Sequence, residues 1–224
     1  MKLGVLLPTF RDNAEDAFAV AHEAEHAQLD GVFAYDHLWP MGSPERPSLA
    51  PFPVLASVAA QCPSLSVGPL VARVGLFTTA KLIEQYVTLE ALAPGRVIAA
   101  LGTGDKLSAA ENTAYGLAYE SAERRRELLK EALAALSPIM ETWCGGGSEK
   151  TNELARELGV AINLWGVSAE IVREVASRGP VTWAGPLGEE PAVLLDALRA
   201  AGVTWVVAGA PFQIDALREW RQAR

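Results

Sequence analysis

His37 is the residue of this sequence best suited to transferring a proton. It follows Asp36 directly after an apolar run at 32–35, which predicts a buried strand. A neutral imidazole at the end of a strand can accept or return a proton near pH 7. Position alone leaves two interpretations open: a catalytic base, or a histidine that is hydrogen-bonded within a loop.

A second candidate site begins with Gly102, Thr103 and Gly104, which end a predicted strand at 97–101. Glycines let the backbone approach a flat ring or an oxyanion, but they also serve in ordinary strand-to-helix turns. Asp105, which follows them, could serve the site or simply cap the next helical turn.

A third candidate consists of Gly166, Val167 and Ser168, at the start of a predicted helix. The free N–H groups of a helix start can hold a phosphate. Ser168 is also a common N-cap residue, and the two roles are compatible.

The pattern of potential metal ligands does not indicate a metal site. His22 and His26 lie four residues apart on the predicted first helix, but this strand-to-helix unit offers no obvious third ligand. Cys62 and Cys144 belong to no metal-binding spacing, so we expect no metal. Two cysteines are also too few for a disulfide framework, which favours a reducing cytosol.

The composition is that of a globular, acidic protein. The 224 residues are 50% hydrophobic with a formal net charge of −8, which predicts one domain over residues 1–224 and no attraction for nucleic acid or anionic membranes. The basic cluster Arg124, Arg125 and Arg126 lies among glutamates and is interpreted as a solvated helix face. The apolar start is too short for a signal peptide or a membrane span, so a cytoplasmic protein is expected.

Predicted strands and helices alternate along the chain. Strands are expected at 3–7, 32–35, 65–71, 97–101, 160–165, 181–184 and 203–207. Helices are expected from 12 or 13 onward, at 53–61, 78–92, 168–178 and 191–201, and from about 213. The longest is expected at 119–142, with Gly145, Gly146 and Gly147 interpreted as its end. This alternation predicts parallel strands and an α/β fold, a TIM-type (β/α)8 barrel.

Seven strands are clear where such a barrel has eight. The eighth is either missing or hidden near 145–150 or around Pro186. A doubly wound open sheet is the alternative, although Leu107 stands where the third glycine of a dinucleotide-binding motif would be. The proline-rich loop at 40–51 is long enough to be functional, and Trp39 beside it is expected to line a ligand site.

Three segments resemble motifs of the luciferase-like flavin and deazaflavin oxidoreductases. They are GVFAYDHLWP at 31–40, LEALAPGRVIAALGTGD at 89–105 and INLWGVSAEIVREVASR at 162–178. The resemblance is strongest to members that use the deazaflavin coenzyme F420. It implies a barrel that binds its cofactor at the C-terminal ends of the strands.

The resemblance also implies roles for individual residues. Asp36 and His37 would lie beside the cofactor ring, with His37 as the base for an alcohol proton. Leu70 and Val71 match the place where the family often has a non-prolyl cis peptide. Asp105 falls where some members place an acidic residue that protonates the cofactor.

Two groups of small residues complete the implied cofactor site. Gly102, Thr103 and Gly104 would border the ring and its side chain. Gly166, Val167 and Ser168 would contact the cofactor phosphate. The acidic protein would need local positive charge or N–H donors to hold the acidic cofactor tail.

The leading hypothesis from the sequence is an F420-dependent oxidoreductase that transfers a hydride to or from a small organic substrate. One alternative is an FMN-dependent monooxygenase served by a partner flavin reductase. Another is a non-catalytic flavin-binding or partner subunit, because residues 144–150 stand in place of a long family insertion and the region past Gly185 is abbreviated. A homodimer is the expected assembly, and a flavin or F420 reductase is the expected protein partner.

Overall fold

The computed structural model describes residues 1–224 as alternating strands and helices. The strands are β1 (Lys2–Leu6), β2 (Gly31–Ala34), β3 (Ser66–Pro69), β4 (Ala72–Arg73), β5 (Ile98–Gly102), β6 (Glu141–Gly145), β7 (Ala161–Trp165), β8 (Val181–Gly185) and β9 (Trp205–Ala208). The helices are α1 (Glu15–His26), α2 (Pro51–Gln61), α3 (Thr79–Leu92), α4 (Ala109–Ala114), α5 (Ala122–Leu136), α6 (Glu149–Glu157), α7 (Ala169–Ala176), α8 (Pro191–Ala200) and α9 (Ile214–Gln222). A 3₁₀ turn at Lys106–Ser108 precedes α4.

The strands form a closed parallel barrel. Their order is β3-β2-β1-β9-β8-β7-β6-β5-β4, with every neighbouring pair parallel. A parallel bridge between Val67 in β3 and Val97 beside β5 joins the two ends of this order. Since β3 and β4 are successive pieces of one strand, the nine strands fill eight positions. The predicted TIM-type barrel is confirmed, and the open-sheet alternative is wrong.

The eighth strand is β6, which begins in the last two residues of the helix predicted at 119–142 and ends at Gly145, the first residue of the stretch in which a hidden strand was expected. That helix was expected at 119–142, but α5 ends at Leu136. Pro138 has no backbone N–H with which to continue the helical hydrogen bonds beyond Ser137, and buried Thr142, Trp143 and Cys144 then extend the chain as a strand.

Helix α6 was not predicted at all. Ser148 caps it, since its hydroxyl accepts the backbone N–H of Thr151 at 3.2 Å. Residues 144–150 are therefore the end of β6 and the turn into α6, which together make an ordinary barrel unit.

Two apolar layers hold the barrel together, and β1 shows how alternation builds them. Leu3 and Val5 pack outward in the layer shared with the helices, whereas Leu6 belongs to the separate cluster inside the barrel. The interior cluster contains the rings of Phe33, Trp143 and Trp205, with centroids 5.2–5.7 Å apart. The interior is thus a packed core rather than a pore, and a binding cavity can form only at an end.

Most helix starts agree with the predictions. Thr78 caps α3 by accepting the Lys81 N–H at 3.3 Å. The first helix begins at Glu15 rather than after Asp12 or Asn13, with Ala14 at its N-cap. No helix in the structure combines the length and the apolar character needed to cross a membrane.

Candidate functional site

The C-terminal ends of the strands surround a cavity of about 830 Å³. Of the eleven residues predicted for the site, eight line this cavity: Asp36, His37, Leu70, Val71, Gly102, Thr103, Gly104 and Asp105. The remaining three, Gly166, Val167 and Ser168, do not line it. Trp39 does not line the cavity either, whereas Met41 of the adjoining loop does.

The floor of the cavity is the bend between β3 and β4. The peptide bond between Leu70 and Val71 is cis, as expected from the resemblance. On the next strand, a Cβ added to Gly102 would lie 2.6 Å from Val71 Cγ2, which is too close for any side chain. A Cβ on Gly145 of β6 would lie 3.4 Å from the same atom. The glycines therefore let two strand ends approach the bend without side chains above it.

Glu111 in α4 fixes His37, although the sequence analysis did not single it out. Its side chain is only 2% exposed, and Oε1 lies 2.9 Å from His37 Nδ1. Oε2 accepts the backbone N–H of Leu38 and a guanidinium N–H of Arg73, each at 3.0 Å. Because a carboxylate can only accept, the proton of a neutral His37 imidazole lies on Nδ1, and Nε2 is then the nitrogen with the free lone pair.

Arg73 connects this carboxylate to the neighbouring strand ends. Its side chain is 4% exposed and donates to the carbonyl oxygen of Ser108 at 3.3 Å. Its backbone N–H donates to Asp36 Oδ2 at 2.9 Å. Burial raises the pKa of Asp36, while this hydrogen bond and the Arg73 charge act in the opposite direction. Asp36 thus ties the end of β2 to β4, and its contact with a cofactor ring stays a prediction.

Asp105 acts as a cap in this structure. Its Oδ1 accepts the backbone N–H groups of Leu107 and Ser108 at 2.9 and 3.1 Å, and the Ser108 hydroxyl at 3.2 Å. Gly104 shapes the turn before it with φ +67°, and a Cβ there would meet Arg73 Cδ at 2.4 Å. The capping interpretation of Asp105 is confirmed, and its role in protonating a cofactor stays a prediction.

The predicted phosphate-binding residues are engaged with β8 instead of the cavity. The Gly166 N–H donates to Ala184 O at 2.8 Å, and Val167 O accepts the indole N–H of Trp183 at 2.9 Å. Ser168 occupies the N-cap position of α7 without a side-chain cap bond. Phosphate binding by these residues stays a prediction.

One strand earlier, a similar turn does line the cavity. It comprises Gly145, Gly146, Gly147 and Ser148 at the start of α6, together with Thr151. The N–H groups at a helix start favour an anion, and the glycines leave the backbone accessible. The glycine run followed by Ser148 and Glu149 was the sequence signal for this helix start, but it had been interpreted as a helix end.

Two arginines of the predicted solvated face also line the cavity. Arg124 does face solvent and pairs with Glu127 at 2.8 Å. Arg125 and Arg126, in contrast, are partly buried cavity residues, so that part of the prediction is wrong. Arg125 stacks over the ring of Tyr119 at 4.1 Å, and its buried Nε has no partner within the chain. The first turn of α5 therefore brings positive charge to the site.

An aromatic wall forms another side of the cavity. Phe10 and Tyr35 stack with ring centroids 5.0 Å apart, and Trp165 lies 6.1 Å from Tyr35. Desolvation raises the pKa of Tyr35 to about 12, so its hydroxyl stays neutral near pH 7. The cavity thus joins flat apolar surfaces, a proton acceptor and an anion-binding edge.

This architecture agrees with the comparison of the sequence with known families. Residues 1–142 match the luciferase-like monooxygenase family, and the chain belongs to that family. The family resemblance is thereby confirmed, and the matched residues include the motifs at 31–40 and 89–105.

Curated relatives align with about two thirds of the chain. The F420-dependent glucose-6-phosphate dehydrogenase of Beutenbergia cavernae is 28% identical over 146 residues, which are 65% of this chain and 42% of that protein. The F420-dependent hydroxymycolic acid dehydrogenase of Mycobacterium tuberculosis is 30% identical over 146 residues, 64% of this chain and 38% of that protein. The matched region thus spans less than half the length of either relative.

Among solved structures, an F420-dependent secondary alcohol dehydrogenase in complex with an F420-acetone adduct superposes with a TM-score of 0.81. The match covers 97% of each chain at 14% sequence identity. At this identity the similarity establishes the fold of the whole chain and not its chemistry.

Proposed function

We propose that the chain is an F420-dependent oxidoreductase that transfers a hydride between the deazaflavin and a small organic alcohol or carbonyl compound. The observation that carries the proposal is the placement of His37, oriented by Glu111, in the same cavity as the glycine-bordered bend at Leu70 and Val71. The curated relatives at 28% and 30% identity are named as F420-dependent dehydrogenases, which supports this choice.

The cavity fits a planar cofactor with an acidic tail. No side chains lie above the bend from the neighbouring strand ends, because Gly102 and Gly145 have none. A Cβ on Gly102 would lie 2.6 Å from Val71 Cγ2, and a Cβ on Gly145 would lie 3.4 Å from it. At the other edge, Arg125 and Arg126 offer positive charge, and the unpaired Nε of Arg125 is a donor that still lacks an acceptor. Charge-assisted hydrogen bonds from such donors suit phosphate and carboxylate groups.

The chain's contribution to the reaction is to hold and move one proton. When bound, the deazaflavin would supply the hydride acceptor or donor. In the neutral imidazole whose Nδ1–H donates to Glu111, His37 Nε2 would accept the hydroxyl proton of an alcohol as its C–H hydride departs. In the reverse direction the same nitrogen would return the proton to the nascent alkoxide. The aromatic wall of Phe10, Tyr35 and Trp165 would exclude water from this step.

An FMN-dependent monooxygenase is the second candidate, favoured by the family to which residues 1–142 belong. The arginines and the start of α6 would bind the FMN phosphate equally well. The two functions differ in their cofactor preference and in the need for oxygen.

A substrate screen tests the proposed function. Purified protein with oxidised F420 is mixed anaerobically with a panel of primary and secondary alcohols and sugar phosphates, and the F420 absorbance is followed. We expect at least one alcohol to bleach F420 without oxygen. Turnover that occurs only with reduced FMN and oxygen would replace the proposal by the monooxygenase.

The two cavity arginines should determine the affinity for F420. We expect Arg125→Ala and Arg126→Ala each to weaken F420 binding by roughly tenfold or more, since hydrogen bonds to charged groups contribute about 1.5–3 kcal/mol. Arg124→Ala is the matched control, because Arg124 lies on the same helix but pairs with Glu127 in solvent. Fluorescence titration measures the three affinities, and equal affinities in all three variants would exclude this edge as the tail site.

A further inference from the structure

Three potential metal ligands meet at the end of the barrel opposite the cavity. His22 and Glu25 lie on the last turns of α1, and Cys62 follows the last residue of α2. One ligand atom of each residue lies within 4.8 Å of the other two. We propose that His22, Glu25 and Cys62 form a binding site for a divalent transition-metal ion of the zinc type.

The third ligand that the sequence analysis did not find comes from another barrel unit. His26 had been considered as the partner of His22, but it is not part of the cluster. Glu25 is instead one helical turn from His22 and on the same face, since residues three apart on a helix are neighbours. Cys62 is 40 residues after His22 in the sequence, and the packing of α1 against α2 brings its thiol close to the His22 ring.

The distance between the nitrogen and the sulfur suits one shared ion. Cys62 Sγ lies 3.5 Å from His22 Nδ1. A tetrahedral zinc ion with bonds of about 2.3 Å to sulfur and about 2.0–2.1 Å to nitrogen places these two atoms about 3.5 Å apart. The separation of these two atoms therefore needs little or no rearrangement to accept the ion, and a Glu25 carboxylate oxygen lies within 4.8 Å of both.

The surrounding contacts hold the ligands in place before any ion binds. The guanidinium group of Arg96 donates to the carbonyl oxygens of Ala59, Cys62 and Leu65 at 2.8–3.3 Å, which fixes the loop that carries the thiol. Ser64 donates its N–H and its hydroxyl to Glu25 Oε1 at 3.0 and 2.7 Å. The carboxylate keeps further lone pairs for a metal.

The ligand set selects the class of ion. A thiolate, an imidazole and a carboxylate suit zinc better than calcium or magnesium, and water would complete a tetrahedron. Binding would release the Cys62 thiol proton to solvent as the sulfur–metal bond forms. His22 is exposed, which gives the ion a route to the site.

The position of the site indicates a stabilising role. The N-terminal end of a TIM-type barrel serves stability, whereas catalysis occupies the opposite end. An ion held by α1 and by the connection from α2 to β3 would clamp the first and second barrel units together. This inference is independent of the proposed function.

Cobalt is the probe for the test, because a thiolate bound to Co²⁺ gives a near-ultraviolet charge-transfer band. The full-length protein is stripped with a chelator and titrated with Co²⁺, then with Zn²⁺ in competition, while the melting temperature is recorded. We expect one Co²⁺ per chain, a thiolate band that Zn²⁺ abolishes, and a melting temperature raised by Zn²⁺.

Variants locate the ion. His22→Ala changes an exposed residue and should weaken Co²⁺ binding by at least about tenfold, since even the loss of a residue that only orients a metal ligand costs about 10- to 100-fold. His26→Ala is the matched control on the same helix and should bind as the parent does. Cys62→Ser should lose the thiolate band. Absence of a stoichiometric band in the parent, or equal affinities in the His22→Ala and His26→Ala proteins, would overturn the proposal.

Discussion

Replacing His37 with alanine is expected to lower the turnover of F420 with an alcohol by about 10²- to 10⁴-fold, the usual contribution of a positioned general base. The Nε2 lone pair that would accept the hydroxyl proton disappears, while the bend, the glycines and the arginines of the cavity remain. Affinity for F420 should therefore change little. Steady-state kinetics and a fluorescence titration of the same preparation measure the two effects separately.

The same variant shows whether His37 acts as the base or as part of the cofactor site. If the parent protein turns over and His37→Ala turns over equally fast, His37 is not the base. If F420 binding is lost together with turnover, His37 contributes to the cofactor site rather than to proton transfer. His26→Ala is the control, since it removes a histidine far from the cavity.

Exchanging Glu111 for glutamine should reduce turnover almost as strongly while the protein stays folded. The amide oxygen can still accept the N–H groups of Leu38 and Arg73, which places the amide NH₂ toward His37 Nδ1. The imidazole must then carry its proton on Nε2 and cannot act as a base. Glu111 is a positioning residue in this account, and kcat should fall by about 10²-fold or more with the F420 affinity unchanged.

Glu111→Ala distinguishes this positioning effect from a loss of stability. It leaves the Arg73 guanidinium, 4% exposed, without its carboxylate, and removing one partner of a buried pair costs roughly 3–5 kcal/mol. Urea unfolding should show that loss in the free energy of unfolding for Glu111→Ala and a smaller loss for Glu111→Gln. Glu127→Ala, which breaks an exposed ion pair, should lower the free energy of unfolding by less than about 1 kcal/mol. If Glu111→Gln lost as much stability as Glu111→Ala, a purely structural role would explain the kinetics.

Local patterns were enough to predict the barrel and part of its site. The buried parallel strands appear as apolar runs, and residues such as His37 and Gly102 follow those runs directly. The C-terminal ends of parallel strands meet at one end of a barrel, so their position in the sequence already placed them together.

The residues that orient the base could not be found in the same way. Glu111 reaches His37 across 74 residues and Arg73 across 38, and nothing local distinguishes it from the glutamates of an exposed helix. Arg125 likewise resembles its neighbour Arg124, and only the direction of α5 places one toward the cavity and the other toward solvent. Such roles depend on tertiary packing.

The errors at β6 and α6 had local causes. A run of helix-forming residues in α5 hid the stop at Pro138, and three glycines were interpreted as the end of one helix instead of the beginning of the next. Recognising Ser148 as an N-cap would have indicated the start of α6.

The most direct test of the central claim is an equilibrium titration of the purified protein with F420 and, in parallel, with FMN, followed by tryptophan emission. Trp165 lines the cavity and is 49% exposed, so a bound ring should quench it, and Trp165→Phe identifies that part of the signal. We expect saturable quenching by one F420 per chain and weaker binding of FMN. Tighter binding of FMN, or no quenching by either cofactor, would contradict the assignment of this cavity to a deazaflavin.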